Sequence, residues 1–322
     1  MFYLYKEIEG KLKEEIIEKI DENTKIDSRT WLSFDEPNNA NLEKISKLTN
    51  IPLHFLSSSL DPEETARVDK EDDNVLIVLD VPCSDENSEG NFKTMPFIIA
   101  YNNDFYITIS HYNKTLIPAV LLKTKGVEPQ KHARLTLNLI YQLSKEFIYF
   151  LKRIDAKTRE IETKLHSSTK NRELYQMMDI NKSLVYFATA LNSNKAVLSK
   201  LIRSPNYQKF EGDFDLMEDT EVELNQAIEM CTIYRGILAG LTDTFASVVN
   251  NNLNIVMKTL TTITIIISIP TLIASLFGMN FVEENSPLYF QEHGFFIVLG
   301  ICCVAAIIGT AILLLLTNRR RK

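Results

Sequence analysis

Two long uncharged segments near the C-terminus constrain the fold of this chain more than any other feature. No Asp, Glu, Lys or Arg occurs from Thr259 to Val282, and none occurs from Phe295 to Asn318. A helix rises about 1.5 Å per residue, so either segment can cross a hydrocarbon core of roughly 30 Å. Two buried helices of a soluble core are the alternative, but both segments exceed about 18 residues. We therefore predict two transmembrane helices, at about 255–280 and 295–317.

The charges that flank these segments predict their orientation. The chain ends in Arg319-Arg320-Arg321-Lys322, whereas the stretch 281–294 contains Glu283, Glu284 and Glu292 and no Lys or Arg. Because basic flanks stay on the cytoplasmic side, we predict cytoplasmic N- and C-termini and an external loop. The start of the chain, MFYLYKEIEGKLKEE, lacks the apolar core of a signal peptide. The expected location is therefore the cell (inner) membrane, as a multi-pass protein with a cytosolic N-terminal part.

The distribution of charge indicates which partners suit that cytosolic part. The chain has a formal net charge of −7. Residues 259–322 hold three Glu, three Arg and one Lys, so residues 1–258 carry −8. An acidic domain disfavours nucleic acid and is compatible with cations. The cysteines form no CxxC pair, which indicates a reducing compartment without a disulfide framework; they are Cys83, Cys231, Cys302 and Cys303.

Residues 1–124 have the pattern of a mixed α/β domain. TWLSF (30–34) and NVLIVLDV (74–81) are typical of strands, and ANLEKISKLTN (40–50) has the apolar spacing of a helix. TMPFIIAYNNDFYITIS (94–110) predicts a hairpin that turns at Asn102-Asn103. A sheet flanked by short helices is the expected arrangement.

Residues 125–254 are predicted to form a helical stalk. Apolar residues at three- and four-residue steps predict helices over 135–165 and about 172–202, and a third helix from about Asp215 into the first membrane segment. About sixty residues would span roughly 90–100 Å. A heptad-like seam on this helix favours oligomerisation, packing on the two preceding helices, or both; it comprises Ile228, Cys231, Leu238, Leu241, Phe245 and Val248.

A polar stripe runs along the first membrane segment. Its members recur at alternating three- and four-residue steps, so they share one face of a helix. Such a face suits either a water-filled path or close helix–helix packing, and the stripe alone does not separate the two. It consists of Asn254, Met257, Thr261, Thr264, Ser268, Thr271 and Ser275.

The sequence Gly278-Met279-Asn280 ends the stripe at its outer end. A neutral Asn amide can hydrogen-bond the water shell of a cation, and Mg²⁺ sheds its waters reluctantly. Glu283 and Glu284 follow directly, and they either raise the local cation concentration or belong to an ordinary solvated loop. These residues together favour a path for a hydrated cation.

On these residues the chain resembles the CorA-type divalent-cation transporters, which are magnesium channels of bacterial membranes. Gly278-Met279-Asn280 matches the signature of that family at the end of the first of two C-terminal membrane helices, and the short loop, basic tail and large cytosolic domain also match. The resemblance implies a funnel-shaped homopentamer whose first membrane helix lines the pore. It further implies an outer selectivity filter at Gly278, Met279 and Asn280 and an apolar cytosolic constriction at Met257 and Leu260. The remaining residues implied to face or flank the pore are Asn254, Thr264, Ser268, Thr271 and Ser275.

The chain departs from the family pattern in two respects. Ser268 stands where many members have a large apolar residue, so one constriction is in doubt. In the family, an acidic pair of the α/β domain faces a stalk aspartate of the neighbouring subunit and holds a regulatory Mg²⁺. Asp243 matches the stalk aspartate, but the acidic pair aligns with Ser57-Ser58. Asp61 and Glu63 lie close by in the sequence as substitutes for the pair, and we predict a weakened regulatory site from Asp243 and Asp61.

The predicted architecture is a cytosolic α/β domain plus a long stalk helix and a C-terminal transmembrane hairpin, assembled as a homopentamer in the lipid bilayer. The predicted function is channel-type, membrane-potential-driven influx of hydrated Mg²⁺, with Mg²⁺ as the transported and possible regulatory ion. The segments are 1–124 (α/β), 125–254 (stalk), 255–318 (two membrane helices with the loop 281–294) and 319–322 (basic tail).

Three alternatives stay open on the sequence. Transport of Co²⁺, Ni²⁺ or Zn²⁺ is the first, although Met279 differs from the Ile typical of a zinc-moving branch and the five histidines are scattered. A membrane-anchored coiled-coil scaffold is the second, and it would not require a polar stripe. An enzyme is the weakest, because no Gly-rich phosphate loop and no G-x-S-x-G motif occurs.

Overall fold

A computed structural model gives the fold of the chain. The chain divides into two compact units, Met1–Thr242 and Asp243–Lys322. This division falls within the predicted stalk, and the domain limits at 124, 254 and 318 stay predictions. The residues that the structure describes are 2–8, 11–18, 20, 26, 30–35, 37–84, 91–110, 120–122, 127–165, 171–207, 211–278, 299–309 and 311.

A seven-stranded sheet organises the first unit, in the order β2-β1-β3-β7-β6-β5-β4. Within it β3 and β7 are parallel, and the other neighbouring strands are antiparallel. The predicted strands at 30–34 and 74–81 and the hairpin over 94–110 are confirmed. The strands are β1 Phe2–Ile8, β2 Lys11–Ile17, β3 Thr30–Asp35, β4 Arg67–Glu71, β5 Asn74–Ser84, β6 Phe92–Tyr101 and β7 Tyr106–Ser110.

Both faces of the sheet are buried, which explains the nearly continuous apolar strands. Side chains alternate between the faces of a strand. On β5, Ile77 and Leu79 accordingly enter one core cluster, whereas Leu76 and Val78 enter the other. The first cluster also takes residues from the long helices α3 and α4, and the second from α1 and α2. These helices are α1 Asn39–Thr49, α2 Leu53–Ser57, α3 His132–Leu165 and α4 Asn171–Ile202.

A single helix, α5 (Glu211–Gly278), continues from the first unit into the second. It has 68 residues, or about 100 Å at 1.5 Å per residue. The predicted start at Asp215 is wrong, because the helix already begins at Glu211. The seam on α5 packs within the chain over its first part: Cys231 and Leu238 are buried in the core, and the Cys231 thiol donates to the Leu184 carbonyl at 3.5 Å. Farther along, Val248 is exposed.

The second unit holds the membrane-length part of α5 and a shorter apolar helix, α6 (Leu299–Gly309). Among the described residues, one helix is long and apolar enough to cross a membrane. It covers Asp213–Ile273, and the most apolar 18 consecutive residues within this range have a mean hydropathy of 1.7. The second predicted span, 295–317, lies only partly within the described residues.

One buried carboxylate of the first unit makes stability depend on pH. In the part of the chain that the structure describes, the Oε2 atom of Glu146 on α3 is buried without a hydrogen-bond partner. This burial raises the pKa of Glu146 from 4.5 to about 7. Because the folded state favours the protonated acid, this contribution to stability is present below the ordinary pKa and is lost as the pH rises through about 7.

We therefore expect Glu146→Gln to flatten the pH dependence of unfolding. Between pH 5 and pH 8 the free energy of unfolding of the wild type should fall by about 2.5 kcal/mol more than that of the variant. The measurement is urea unfolding followed by the fluorescence of Trp31, which is the single Trp of the chain and is fully buried in the sheet. Glu162→Gln, at an exposed position of the same helix, serves as the control. Equal pH profiles for wild type and Glu146→Gln would contradict this account.

Candidate ion pathway on the long helix

The polar stripe of α5 is exposed along its described length in a single chain. Asn254 begins the stripe, and Ser275 is its last member with a described side chain. Met257 and Leu260, the predicted constriction, are 53% and 58% exposed. The other exposed members are Thr261, Thr264, Ser268 and Thr271. The structure thus places the predicted path residues on one open face of α5, while their contact with an ion stays a prediction.

The hydroxyl groups of the stripe donate hydrogen bonds to backbone carbonyl groups of α5 itself. Thr264 donates to the Leu260 carbonyl at 2.9 Å, Ser268 to the Thr264 carbonyl at 2.7 Å, and Thr271 to the Ile267 carbonyl at 2.8 Å. Each oxygen therefore presents acceptor lone pairs outward rather than a proton. A row of acceptors suits the water molecules of a hydrated cation, which point their hydrogens away from the ion.

The opposite face of α5 packs on α6. The Cys302 thiol of α6 donates to the Pro270 carbonyl of α5 at 3.6 Å. The helices are also close at Gly309 of α6, where an added methyl group would be in van der Waals contact with Cδ1 of Ile269, at 3.5 Å. At about 100° per residue this face is turned roughly half a revolution from the stripe. Its partly buried positions are Thr262, Ile266, Ile269, Pro270 and Ile273. Since α6 covers the apolar side, the hydroxyl side is left for other contacts.

Part of the predicted filter and mouth lies outside the described residues. Gly278 is the last residue of α5, and Met279, Asn280, Glu283 and Glu284 follow beyond it. The roles predicted for all five residues stay predictions.

The predicted regulatory residues are exposed and belong to different units. The Asp61 carboxylate accepts a hydrogen bond from the Glu63 amide at 2.9 Å. Asp243 is exposed on α5. Among the described residues, no group of three or more His, Cys, Asp or Glu is placed to hold a metal ion. A site built from Asp61 and Asp243 therefore stays a prediction that needs a second subunit.

The serine pair that aligns with the missing acidic pair has a basic neighbour. The Arg67 guanidinium donates to the Ser58 hydroxyl at 3.1 Å and also forms ion pairs with Glu64 and Asp69. Glu64 and Asp69 offset the positive charge of Arg67, so Ser58 lies beside an ion-paired group. The weakened regulatory site stays a prediction.

Comparison with known proteins decides the family. The family described as "CorA-like Mg2+ transporter protein" matches residues 27–321, which include the α/β sheet from β3 onward, the long helices and both apolar segments. The chain belongs to the CorA family. The family prediction from the sequence is confirmed, and divalent-cation transport is the function class of this family. The match does not test the role of Gly278-Met279-Asn280.

One relative and two solved structures show how far the CorA likeness extends. The chain is 28% identical over 299 residues to the cobalt/magnesium transport protein CorA of Methanocaldococcus jannaschii, covering 90% of this chain and 92% of that protein. The complete structure of the CorA magnesium transporter from the same organism has a TM-score of 0.79 at 25% identity, covering 97% and 96% of the two chains. The ZntB cytoplasmic domain from Vibrio parahaemolyticus has a TM-score of 0.59 at 14% identity, covering 77% and 98% of the two chains, and shows the fold alone. The predicted α/β domain with a long stalk helix is therefore confirmed.

Proposed function

We propose that this chain is a channel-type transporter that conducts hydrated Mg²⁺ into the cell, driven by the membrane potential. The observation that carries the proposal is the open stripe of hydroxyl acceptors on α5, opposite the face that packs on α6. A helix that served only as an anchor would not require polar groups along a membrane-length face. The family membership and the relatives named as cobalt/magnesium transporters support the same function.

A closed path requires several copies of the chain, because one helix presents only one wall. In our proposal five copies surround a common axis with their α5 stripes facing inward, as the resemblance to the family implies. The α/β units and both chain ends lie in the cytosol, and the segment 281–294 lies outside. One ring of five Asn280 side-chain amides binds the hydrated ion at the outer mouth, and Glu283 and Glu284 raise the local concentration of cations there.

The membrane potential supplies the driving force without covalent chemistry. Two charges that cross the membrane gain about 4.6 kcal/mol per 100 mV. An ion that keeps its water shell avoids most of the dehydration cost, which is high for Mg²⁺. The path therefore needs weak acceptors along its length rather than a tight binding cage.

Ion flux into liposomes tests this function. Full-length protein is reconstituted with a Mg²⁺-sensitive dye inside, and an inside-negative potential is imposed by a K⁺ gradient with an ionophore. Influx that depends on the potential is expected. A lack of flux for every divalent cation tested would favour the scaffold, whereas Co²⁺, Ni²⁺ or Zn²⁺ flux without Mg²⁺ flux would favour another metal.

Regulation by cytosolic Mg²⁺ gives a further prediction. We expect Mg²⁺ to stabilise the purified oligomer against heat, because Asp243 of one copy and Asp61 of another would share the hydrated ion between subunits. Asp243→Ala should shift the midpoint of this stabilisation to at least about threefold higher Mg²⁺. Asp219→Ala, at another exposed aspartate of α5, is the control. If the Mg²⁺ titrations of wild type and Asp243→Ala coincide, Asp243 has no part in sensing.

A further inference from the structure

A proline interrupts α5 within its membrane-length part. Pro270 lies inside the helix, between Ser268 and Thr271 of the hydroxyl stripe. Because proline has no N–H group, it cannot donate the usual hydrogen bond to the carbonyl of Ile266, four residues earlier. The proline ring also crowds that carbonyl, so α5 bends more easily at this turn than elsewhere. A hydrocarbon core supplies no water to such backbone groups, and side chains or a neighbouring helix must support them instead.

Hydroxyl groups of the stripe support this turn from within α5. The Thr271 hydroxyl donates to the Ile267 carbonyl at 2.8 Å, and the Ser268 hydroxyl donates to the Thr264 carbonyl at 2.7 Å. Bonds of this kind often accompany a bend in a helix. Since both bonds join residues of the same helix, they leave the direction of the bend open.

The helix α6 supports the same turn from outside, at two points. The Cys302 thiol donates to the Pro270 carbonyl at 3.6 Å, and the Cys302 side chain is partly buried. Gly309 lies so close to Ile269 that an added methyl group would touch its Cδ1 atom, at 3.5 Å. Seven residues make almost two full turns at about 100° per residue, so Cys302 and Gly309 share one face of α6. This face therefore meets α5 at the proline and at the residue before it.

The stripe continues on both sides of the turn that α6 contacts. Thr264 belongs to the part before Pro270, and Ser275 belongs to the part after it. A change in the bend would turn the second part of the stripe away from the direction of the first. The hydroxyl acceptors of both parts can line a single path only while the angle at the proline stays fixed.

We propose that Cys302 and Gly309 of α6 are positioning residues for ion conduction. They hold α5 at Pro270, so that the hydroxyl groups before and after the proline face the same path. Both residues act through α5 and do not contact the ion. The inference rests on the proposed transport function and extends it to residues of α6, outside the stripe.

Mg²⁺ flux per intact oligomer tests the contact of the thiol. Cys302→Val keeps a side chain of similar size but removes the donor, so the flux into liposomes should fall about threefold, as expected for a weak S–H···O bond. Cys302→Ser restores a donor and should regain the wild-type flux. Cys303→Val is the matched control, because Cys303 is the next residue of α6 and is exposed. Its flux should equal that of the wild type.

Two glycines of α6 test the close approach of the helices. Gly309→Leu should lower the flux per intact oligomer about tenfold, because the long side chain forces α6 away from Ile269. Gly309→Ala should conduct as the wild type does, since its methyl group fits at contact distance. Gly300→Leu is the control: among the described residues, no atom lies within 4 Å of a methyl group added there.

The labelling of cysteines on the stripe provides a measurement that needs no ion flux. Ser275→Cys and Thr264→Cys are each combined with Cys303→Ala and treated with a charged, water-soluble thiol reagent. Labelling of the Ser275→Cys oligomer should be about threefold slower with Cys302→Val than with Cys302→Ser, because the turn before this position is no longer held. Labelling of the Thr264→Cys oligomer, before the proline, should be equally fast with both.

These measurements separate the positioning role from the transport proposal. Positioning by α6 is refuted if Cys302→Val and Gly309→Leu conduct as their controls do, or if Cys302→Ser conducts as poorly as Cys302→Val. Equal labelling of the Ser275→Cys oligomer with Cys302→Val and with Cys302→Ser would also refute it. If the wild type carries no divalent cation, the transport proposal fails and the labelling alone decides whether α6 positions the stripe. If Gly309→Leu does not assemble, the Cys302 variants decide.

Discussion

Asn280→Ala is expected to abolish Mg²⁺ uptake while the oligomer still assembles. In the sequence Asn280 stands two residues after Gly278, the last residue of α5, and our proposal places it at the outer mouth of the path. In the proposed assembly each copy contributes one amide to a ring, so a single substitution removes every amide at once. We expect the Mg²⁺ flux in liposomes to fall by at least about tenfold, which corresponds to about 1.4 kcal/mol of barrier.

Two other substitutions separate this role from a general disturbance of the helix. Asn251→Ala removes an amide from α5 at a position off the stripe, so its flux should equal that of the wild type. Asn280→Asp keeps the shape but places a ring of negative charge at the mouth, so cations should bind more tightly and leave more slowly. Normal Mg²⁺ flux in Asn280→Ala, with the oligomer intact by size-exclusion chromatography, would refute the filter.

The sequence predicted those elements whose signal is local and repeated. The membrane-length part of α5 follows from an uncharged segment, and β5, β6 and β7 follow from apolar residues bounded by turns. The stripe could be predicted because its three- and four-residue spacing depends only on helix geometry. These features require no knowledge of distant contacts.

Other elements escaped prediction because their signals are weak or tertiary. The hairpin of β1 and β2 was missed, since β2 (KLKEEII) is largely charged, as is common for an edge strand. The start of α5 was misplaced because acidic residues such as Asp215 are favourable both at a cap and within the first turns. The contact of Cys302 with Pro270 joins two segments with no shared periodicity, so the sequence could not indicate it.

Substitutions at the constriction are expected to produce leak rather than loss of flux. Met257 and Leu260 lie on the exposed face of α5 where the uncharged segment begins, and our proposal places this end of the segment at the cytosolic side. In the proposed assembly their side chains form apolar rings, and a narrow apolar ring excludes water and so blocks ions. The closed state of wild type should then be tight at high cytosolic Mg²⁺.

Met257→Gly and Leu260→Gly should each raise the leak at high internal Mg²⁺ by at least about tenfold, because the shortened side chain lets water remain in the ring. Glycine also weakens a helix by about 1 kcal/mol, so a control with the same cost is needed. Ile255→Gly provides it, since Ile255 is on the same helix but on the opposite face, and its leak should stay at the wild-type value. If both pore-face variants close as tightly as Ile255→Gly does, the apolar gate lies elsewhere on the path.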